Sequence, residues 1–537
     1  MLSSSIDSSA TSRFKALSRW ERFGWARLGL AWVLSALLAN VLIAPCSVAQ
    51  VSAPAEPAAV KAGLFHVRFD AALQSEPYSG RIYVAIGKSD TREPRLKMGD
   101  WFAGAQVFAR DVSKVGPGGD VLFGPDALAY PKSSEDFGNG EYFVQAIARR
   151  NLDSCHPGSD EGDLYSEPRK VSFEKGNARA VELVLSKSVA AKLFKETDRV
   201  KLFEIKSPSL SKFLGRDFTM KAGVILPAGW KDDASVRTPT LYWIGGFGGD
   251  HRAAFQMARM LAQTPGADKC LVVVPDPTCY WGHSVFADSA TNGPWGQAFT
   301  SEMIPALEAK FHGSGTVEHR YVSGISSGGW SSLWLQVTYP ETFSGVWSHC
   351  PDPVDFHDFQ RIDLNAPGVS MYVDPSGERR PLARQGGQVK LWYKDFIAQE
   401  SVMGPGGQIG SFEAVFSPRG ADGRPVELFD RKTGLVNAST AKAWEKYDIR
   451  AVLERDWQTL GPKLAGKLHV VAGGEDTFYL EGAVKRLAQT MKTLGSDADI
   501  QVIDGMPHTV HQPTVKKMFE VITGIASESS EAPKSAE

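Results

Sequence analysis

Residues 320–339 read RYVSGISSGGWSSLWLQVTY, and this stretch indicates a fold and a reactive group together. Its opening residues predict a β-strand, and its closing residues predict a helix that ends before Pro340. The turn between them fits G-x-S-x-G, a pattern that places a serine on a sharp strand-to-helix turn. Glycine is needed at Gly324 and Gly328 because side chains there would collide with the crowded turn and the neighbouring backbone. We therefore predict that Ser326 is a nucleophile, and that the N-terminus of the helix favours a developing negative charge beside it.

A serine hydroxyl is a poor nucleophile until a base takes its proton, and a third group must orient that base. Asp476 follows the predicted strand at 467–474, and His508 follows the predicted strand at 499–504. Both positions fall on the sheet edge that carries Ser326, in the chain order serine, acid, histidine. We predict a triad in which His508 is the general base and then the general acid. Asp476 would fix the tautomer of His508 and stabilise its imidazolium form.

Neighbouring residues offer alternatives for two of these roles. His511 lies shortly after His508 and is a second candidate base, although it falls at the start of the next predicted helix. Glu475 is adjacent to Asp476, and Asp352 follows an earlier predicted strand, from which a triad acid can also come. The sequence favours His508 and Asp476 and leaves the alternatives open.

The chemistry of such a serine also requires donors for the negatively charged oxygen of a tetrahedral intermediate. Residues 244–250 read IGGFGGD and lie between a predicted strand and a helix, early in the sheet. This is where a second oxyanion N–H is expected. We predict that the backbone N–H groups of Ser327 and Phe247 are the two donors, with Gly246 as the alternative to Phe247.

A long loop that ends at Trp295 is rich in aromatic residues and has two interpretations. Tyr280, Trp281 and Trp295 either form an apolar or sugar-stacking wall of a substrate pocket or pack the loop onto the domain. The same loop contains His283 and Asp288, but the chain has no H-E-x-x-H pattern or other close ligand spacing there. We therefore expect no metal.

The spacing of apolar segments predicts that the chain has two domains. Between residues 201 and 527, apolar strands alternate with helical segments, which predicts an α/β domain with a mostly parallel sheet and helices on both faces. Residues 63–200 show short alternating strands separated by Gly, Pro and Asp turns, which predicts a small all-β sandwich. Residues 50–62 read as an Ala/Pro-rich linker, and we expect residues 528–537 to be disordered.

Residues 1–49 predict an export signal. A basic segment precedes the apolar stretch at 28–44, and small residues stand just before a cleavage point after Ala49. An uncleaved membrane anchor is the alternative. We therefore expect a periplasmic or secreted protein with no membrane span once the signal is cleaved. In that compartment a disulfide is possible, and Cys279 with Cys350 is the first pair to test.

Composition excludes several classes of protein. The chain has 537 residues and a formal net charge of −2, so it has no overall basic field for nucleic acid. With 43% hydrophobic and 22% charged residues, it is neither a disordered nor a fibrous chain.

Residues 209–526 resemble the esterase-D-like family of α/β-hydrolases, on the stretches SLSKFLGRDFTMKAGVILPAGW, GGFGG, NGPW, GISSGGW and GMPHTV. The resemblance implies a Ser–Asp–His hydrolase without a cofactor and a small-molecule or sugar-linked ester as substrate. It specifies neither the acyl group nor the oligomeric state. Two features depart from the family pattern. Gly245 stands where many relatives have His, and residues 353–455 form an insertion after the sixth strand, where hydrolase lids commonly lie.

The sequence thus predicts an exported serine carboxylic-ester hydrolase. A serine peptidase of prolyl-oligopeptidase type shares the G-x-S-x-G-G turn and also has a β domain. That domain is a seven-bladed propeller, and residues 64–200 are too few to form one. A non-catalytic binding protein on a hydrolase scaffold is the third candidate, and the complete set of Ser326, Asp476 and His508 counts against it.

Overall fold

The computed structural model describes residues 64–89, 91–133, 135–173 and 180–524. The predicted signal peptide (1–49), linker (50–62) and C-terminal tail (528–537) lie outside these ranges, so those three expectations stay predictions. Within the described ranges, no helix combines the length and the hydropathy that a membrane span requires.

The N-terminal part consists of strands in two sheets. The strands are β1 (Phe65–Phe69), β2 (Tyr78–Gly87), β3 (Gln106–Val115), β4 (Asp120–Phe123), β5 (Leu128–Tyr130), β6 (Gly140–Ala148), β7 (Leu164–Tyr165), β8 (Arg169–Phe173), β9 (Val181–Leu185) and β10 (Lys187–Ser188). One sheet has the order β4-β1-β9, and the other has the order β10-β7-β6-β2-β3-β5 with β8 beside β6. The ring centroids of Phe65 in β1 and Phe108 in β3 are 5.5 Å apart, and both rings are fully buried. The two sheets therefore share one apolar core, and we call this unit the β-domain.

The catalytic part is built on a larger mixed sheet. Its described strands are β11 (Val200–Lys206), β12 (Thr219–Ile225), β13 (Thr240–Ile244), β14 (Leu271–Pro275), β15 (Thr278–Cys279), β16 (Gly282–His283), β17 (Asp288–Ser289), β18 (Gly293–Pro294), β19 (Arg320–Ile325), β20 (Gly345–His349), β21 (Pro381–Gln385), β22 (Gln388–Trp392), β23 (Leu468–Gly473) and β24 (Asp499–Ile503). The large sheet has the order β11-β12-β14-β13-β19-β20-β23-β24. Strands β11 and β12 pair antiparallel, as do β12 and β14, and the pairs from β14 to β24 are parallel. All residues of β13 and β14 are buried, as expected for strands that are covered on both faces.

Helices cover both faces of this sheet. They are α1 (Pro208–Leu214), α2 (Ala253–Leu261), α3 (Trp295–Ala298), α4 (Ile304–Phe311), α5 (Ser327–Thr338), α6 (Tyr393–Met403), α7 (Gln408–Phe416), α8 (Ala438–Trp444), α9 (Ile449–Leu464), α10 (Glu481–Thr493) and α11 (Gln512–Thr523). Buried residues of α2 and α11 belong to one apolar cluster, whereas those of α4, α5, α9 and α10 belong to another. The sheet separates these two clusters, which gives the layered α/β arrangement that the sequence predicts.

The register of the parallel strands brings their carboxyl ends to one edge. Ile244 pairs with Gly324, Ile325 pairs with His349, and Gly473 pairs with Ile503. The loops that follow β13, β19, β20, β23 and β24 therefore leave the sheet side by side. In open α/β sheets this edge is where binding and catalytic groups collect.

Residues 353–455 pack into the core of the catalytic part and do more than cover its surface. The segment contains the β21–β22 hairpin, α6, α7, α8 and the start of α9. Phe416 of α7 contacts Trp330 of α5, with ring centroids 5.0 Å apart. Such buried aromatic contacts fix the insertion relative to the helix that follows Ser326.

The structure does not form the bridge between Cys279 and Cys350 that the sequence left as a possibility. The four cysteines within the described ranges are free thiols. Cys279 packs into the main apolar cluster, while the Cys350 thiol donates to the backbone carbonyl of Thr509 at 3.4 Å. The two thiols therefore have separate environments.

Candidate active site

Ser326 lies at a strained turn between β19 and α5. Its backbone has φ 60° and ψ −126°, a conformation that a residue with a side chain rarely adopts. Hydrogen bonds hold the turn in place: the Ser326 N–H donates to the His349 carbonyl at 3.0 Å, and the Trp330 N–H donates to the Ser326 carbonyl at 2.9 Å. Strain that is maintained in this way is typical of a functional position.

The flanking glycines are required by close approach of the backbone. A Cβ atom on Gly324 would lie 2.2 Å from the carbonyl oxygen of Gly328. A Cβ atom on Gly328 would lie 2.1 Å from the carbonyl oxygen of Ile244. Both distances are far below contact distance, which confirms the steric reason predicted for these two glycines. The second contact also shows that α5 begins directly against the end of β13.

His508 and Asp476 form a buried pair at the same sheet edge. His508 Nδ1 lies 2.8 Å from Asp476 Oδ2, and the other carboxylate oxygen accepts the Phe478 N–H at 2.8 Å. Burial alone would lower the pKa of His508, but the charge of Asp476 and its hydrogen bond raise that pKa well above the usual value. Because Nδ1 faces Asp476, Nε2 is the ring nitrogen that remains for the proton exchange predicted from the sequence. Both Ser326 and His508 line one cavity.

The alternative base and the adjacent acid make other contacts. His511 Nδ1 lies 2.8 Å from the Oγ1 of Thr514, a residue of α11. The backbone N–H of His511 donates to Nδ1 of His349. The Glu475 backbone N–H donates to the Met506 carbonyl. Neither His511 nor Glu475 lines the cavity. The structure thus brings His508 and Asp476 together, whereas His511 and Glu475 lie outside the cavity.

Asp352, the third alternative, contacts the turn at Ser326. The Ser326 hydroxyl donates to Asp352 Oδ1 at 3.4 Å, and the Ser327 hydroxyl donates to Oδ2 at 2.5 Å. The side-chain amide of Gln408, from the insertion, donates to Oδ2 at 3.2 Å. Burial raises the pKa of Asp352 to about 6, although the hydrogen bond from Ser327 and the charge of His508 oppose this rise. Asp352 therefore fixes the turn at Ser326 and does not orient His508.

Replacing Asp352 by Asn should lower kcat/KM roughly tenfold, because hydrogen bonds to a charged group contribute about 1.5–3 kcal/mol. As the predicted base, His508 would act only when neutral, and because its pKa is raised well above the usual value, Asp352 would already be ionised there. Removing this negative charge lowers the pKa of His508, so the acid limb of the pH profile should move to lower pH. Steady-state kinetics from pH 5 to pH 9 measure both effects. Asp504→Asn, an exposed carboxyl in the loop before His508, is the matched control; an unchanged acid limb in Asp352→Asn would contradict the assignment.

The Gly-rich loop after β13 lies against the nucleophile. A Cβ atom on Gly246 would come within 3.1 Å of the Ser326 Cβ, so the loop passes the serine at van der Waals distance. Ser327 is the first residue of α5, and its N–H has no acceptor one turn earlier in the helix. Phe247 lines the same cavity. This arrangement is compatible with the predicted donors Ser327 and Phe247, with Gly246 as the alternative.

His283 holds the Gly-rich loop, a role that the sequence did not indicate. Its Nδ1 accepts the Val285 N–H at 3.0 Å, so its Nε2 carries the proton and donates to the Gly245 carbonyl at 3.0 Å. Burial lowers the pKa of His283 to about 4, which keeps the ring neutral and this tautomer in place. Asp288, its supposed companion in a metal site, accepts the Tyr339 hydroxyl and the Gln297 N–H.

Among the described residues, one group of side chains has the proximity of metal ligands. Atoms of Cys350, Asp476 and His508 lie within 4.8 Å of one another. The imidazole Nδ1 and the carboxylate oxygen of this group are hydrogen-bonded to each other. The arrangement is therefore better suited to sharing a proton than to holding an ion.

The cavity around Ser326 is lined by several parts of the chain. Its volume is about 1030 Å³. Its lining includes the Gly-rich loop and Phe478, residues 403–408 of the insertion, β-domain residues 98–102, 153–157 and 159–161, and residues 217–221 with part of α2. A cavity of this size and mixed lining is typical of a small-molecule site.

The aromatic loop contributes less to this cavity than expected. Tyr280 and Trp281 are not among its lining residues. The Arg149 guanidinium lies 4.2 Å from the centroid of the Tyr280 ring, which packs edge-on against Trp281. Trp295 does line the cavity but is only 2% exposed and packs against Phe218. The structure therefore favours loop packing over a substrate wall, most clearly for Tyr280 and Trp281.

The layered sheet, the strained serine and the buried acid–histidine pair together define a serine hydrolase of the α/β class. A family model described as "Putative esterase" matches residues 211–512. The match covers more than half of the chain, and the chain belongs to this family of esterase-type serine hydrolases. The resemblance read from the sequence is thereby confirmed.

The solved structures that match this chain include esterases and other hydrolases. One is a ferulic acid esterase, with 14% identity over 60% of this chain and 98% of that chain and a TM-score of 0.39. Another is the substrate-bound fluorophosphonate-binding serine hydrolase F of Staphylococcus aureus, with 13% identity, the same coverage and a TM-score of 0.39. A third is an S-formylglutathione hydrolase from Agrobacterium tumefaciens, with 14% identity over 60% and 91% of the chains and a TM-score of 0.35. No curated protein sequence matches this chain.

Proposed function

We propose that the protein is an exported serine carboxylic-ester hydrolase that works through an acyl-enzyme on Ser326. The observation that carries this proposal is the buried Asp476–His508 pair, whose histidine lines the same cavity as Ser326. The predicted signal at residues 1–49 supports export.

In the first half-reaction, Ser326 Oγ attacks the ester carbonyl while His508 Nε2 takes its proton. The N–H groups of Ser327 and Phe247 would then stabilise the oxyanion of the tetrahedral intermediate. Collapse of the intermediate releases the alcohol, which receives its proton from His508. Water, activated by the same imidazole, then cleaves the acyl-enzyme and restores Ser326.

Before attack, the Ser326 hydroxyl has to turn from Asp352 to His508. Its hydrogen bond to Asp352 is long, at 3.4 Å, and is therefore weak. Catalytic hydrogen bonds are often poorly aligned without substrate and tighten in the substrate complex. In the proposed cycle, rotation about the Cα–Cβ bond of Ser326 exchanges one partner for the other.

The proposal is tested by labelling with a fluorophosphonate, which forms a covalent bond with an activated serine. We expect the wild type to be labelled at neutral pH and Ser326→Ala to show no labelling and no esterase activity. Comparing periplasmic, secreted and membrane fractions of expressing cells on the same gel tests export. An unlabelled but folded wild type would rule the proposal out.

A substrate panel then separates the ester class from the peptide class. It contains p-nitrophenyl esters, feruloyl and acetyl sugars, and peptide anilides. Hydrolysis of esters without hydrolysis of anilides supports the proposal, whereas preference for anilides would reassign the enzyme to the peptidases.

A further inference from the structure

The β-domain places an aromatic side chain inside the catalytic cavity. Trp101 lies in the loop that precedes β3, and it lines the cavity together with Ser326. Its indole stacks on Phe247, with centroids 5.8 Å apart and planes at 25°, and makes an edge contact with Phe478 at 5.7 Å. Phe478 in turn packs against the His508 ring at 5.0 Å. Trp101 therefore touches the neighbours of both the predicted oxyanion site and the catalytic base.

The loop that carries Trp101 is held in one conformation. The Asp100 carboxylate accepts the N–H groups of Phe102 and Ala103, both at 3.0 Å. From the insertion, the Gln399 amide donates to the Asp100 carbonyl at 2.8 Å. The indole also meets Phe396 of α6 edge-on, with centroids 5.0 Å apart. A side chain fixed on both sides loses little conformational entropy when a ligand packs against it.

The β-domain is also hydrogen-bonded to the insertion, which lines the same cavity. Arg81 donates to the carbonyl of Ser401 at 2.6 Å, and the Tyr83 hydroxyl donates to that of Met403 at 2.7 Å. Both acceptors lie in the last turn of α6, where helix carbonyls lack partners of their own. Arg149 donates to the Pro405 carbonyl in the next loop. These bonds keep the β-domain at a fixed distance from Ser326.

We propose that Trp101 is a specificity-determining residue by which the β-domain selects esters that have a bulky apolar group next to the reacting carbonyl. The inference rests on the proposed function. Trp101, Phe247 and Phe478 form a continuous aromatic wall beside Ser326, and a ring or branched alkyl group packed on this wall leaves water. The β-domain is accordingly a part of the substrate site and not only an appendage.

The test compares Trp101→Ala with the wild type on two ester series. In one the acyl group grows from acetate to benzoate with p-nitrophenol constant, and in the other the alcohol of an acetate grows from methyl to benzyl. We expect the ratio of kcat/KM for bulky over small esters to fall roughly tenfold in at least one series, mainly through KM. Trp101→Phe should restore most of the ratio. A change below about threefold in both series would overturn the inference.

Controls distinguish this inference from the proposed function. If the wild type hydrolyses no ester and takes no fluorophosphonate, the proposed function itself fails. If the wild type is active and the ratio is unchanged in Trp101→Ala, only the role of Trp101 fails. Val184→Ala, an exposed apolar residue of the β-domain outside the cavity, controls for general effects of mutation. Should Trp101→Ala unfold, Trp101→Leu keeps the apolar contact with the core and allows the same comparison.

Discussion

Asp476→Asn should lower kcat by a factor of about 10⁴ while the protein stays folded. The carboxylate accepts the proton of His508 Nδ1 and so presents the lone pair of Nε2 to Ser326. An amide in its place can donate to Nδ1, which favours the tautomer with the proton on Nε2, and such a base cannot take the serine proton. In serine hydrolases a wrong tautomer has this cost, about 10⁴ in kcat.

The pH dependence gives a second, independent readout of the same variant. His508 must be neutral to act as a base, so the wild-type rate rises with pH through the pKa of His508, which Asp476 raises. Without the carboxylate this pKa falls, and the acid limb of the residual activity should move to lower pH. Stopped assays from pH 5 to pH 9, with circular dichroism to confirm folding, measure both quantities.

The contrast with Asp352→Asn decides between the two carboxyl groups. Asp352 makes hydrogen bonds to Ser326 and Ser327 but not to the imidazole. Its replacement should therefore lower kcat/KM roughly tenfold, far less than the factor of about 10⁴ expected for Asp476→Asn. If Asp352→Asn proved the more damaging substitution, the role of triad acid would pass from Asp476 to Asp352.

The parts of the site that the sequence could predict are those that depend on local geometry. The turn at Ser326 follows from a strand, a glycine pattern and a helix that are contiguous in the chain. His508 and Asp476 each follow a strand of a parallel sheet, and the sheet itself brings such ends together. For these residues, knowledge of the local chain and of the sheet direction was sufficient.

The parts that could not be predicted depend on contacts between distant segments. Gln408 reaches Ser327 and Asp352 from an insertion whose path has no local signal. Trp101 reaches Phe247 from another domain. The position of Tyr280 could not be predicted for the same reason, because the Tyr280 ring packs against Arg149 of the β-domain. Whether an aromatic residue lines a cavity or packs under an arginine is decided by tertiary packing, which residue type and spacing do not encode.

Gly328→Ala should prevent the catalytic part from folding normally. The added methyl carbon would lie 2.1 Å from the Ile244 carbonyl oxygen and 2.4 Å from that of Gly245. Both atoms are backbone at the end of the fully buried strand β13, so no rotamer change relieves the clash. Either α5 or the Gly-rich loop has to shift. The loss of folding stability should therefore exceed the roughly 1–3 kcal/mol that is usual for an extra methylene in a core.

The soluble yield and the melting temperature of Gly328→Ala measure this effect, with Gly410→Ala as the matched control. Gly410 lies in helix α7, and an added Cβ atom there meets nothing within 4 Å. Alanine is favoured over glycine in a helix by about 0.8–1.0 kcal/mol, so the control should be as stable as the wild type or more stable. A folded Gly328→Ala with the wild-type melting temperature would show that α5 can move away from β13. In that case a loss of esterase activity would point to separation of the predicted donors Ser327 and Phe247, whose N–H groups lie on the two segments that the clash forces apart.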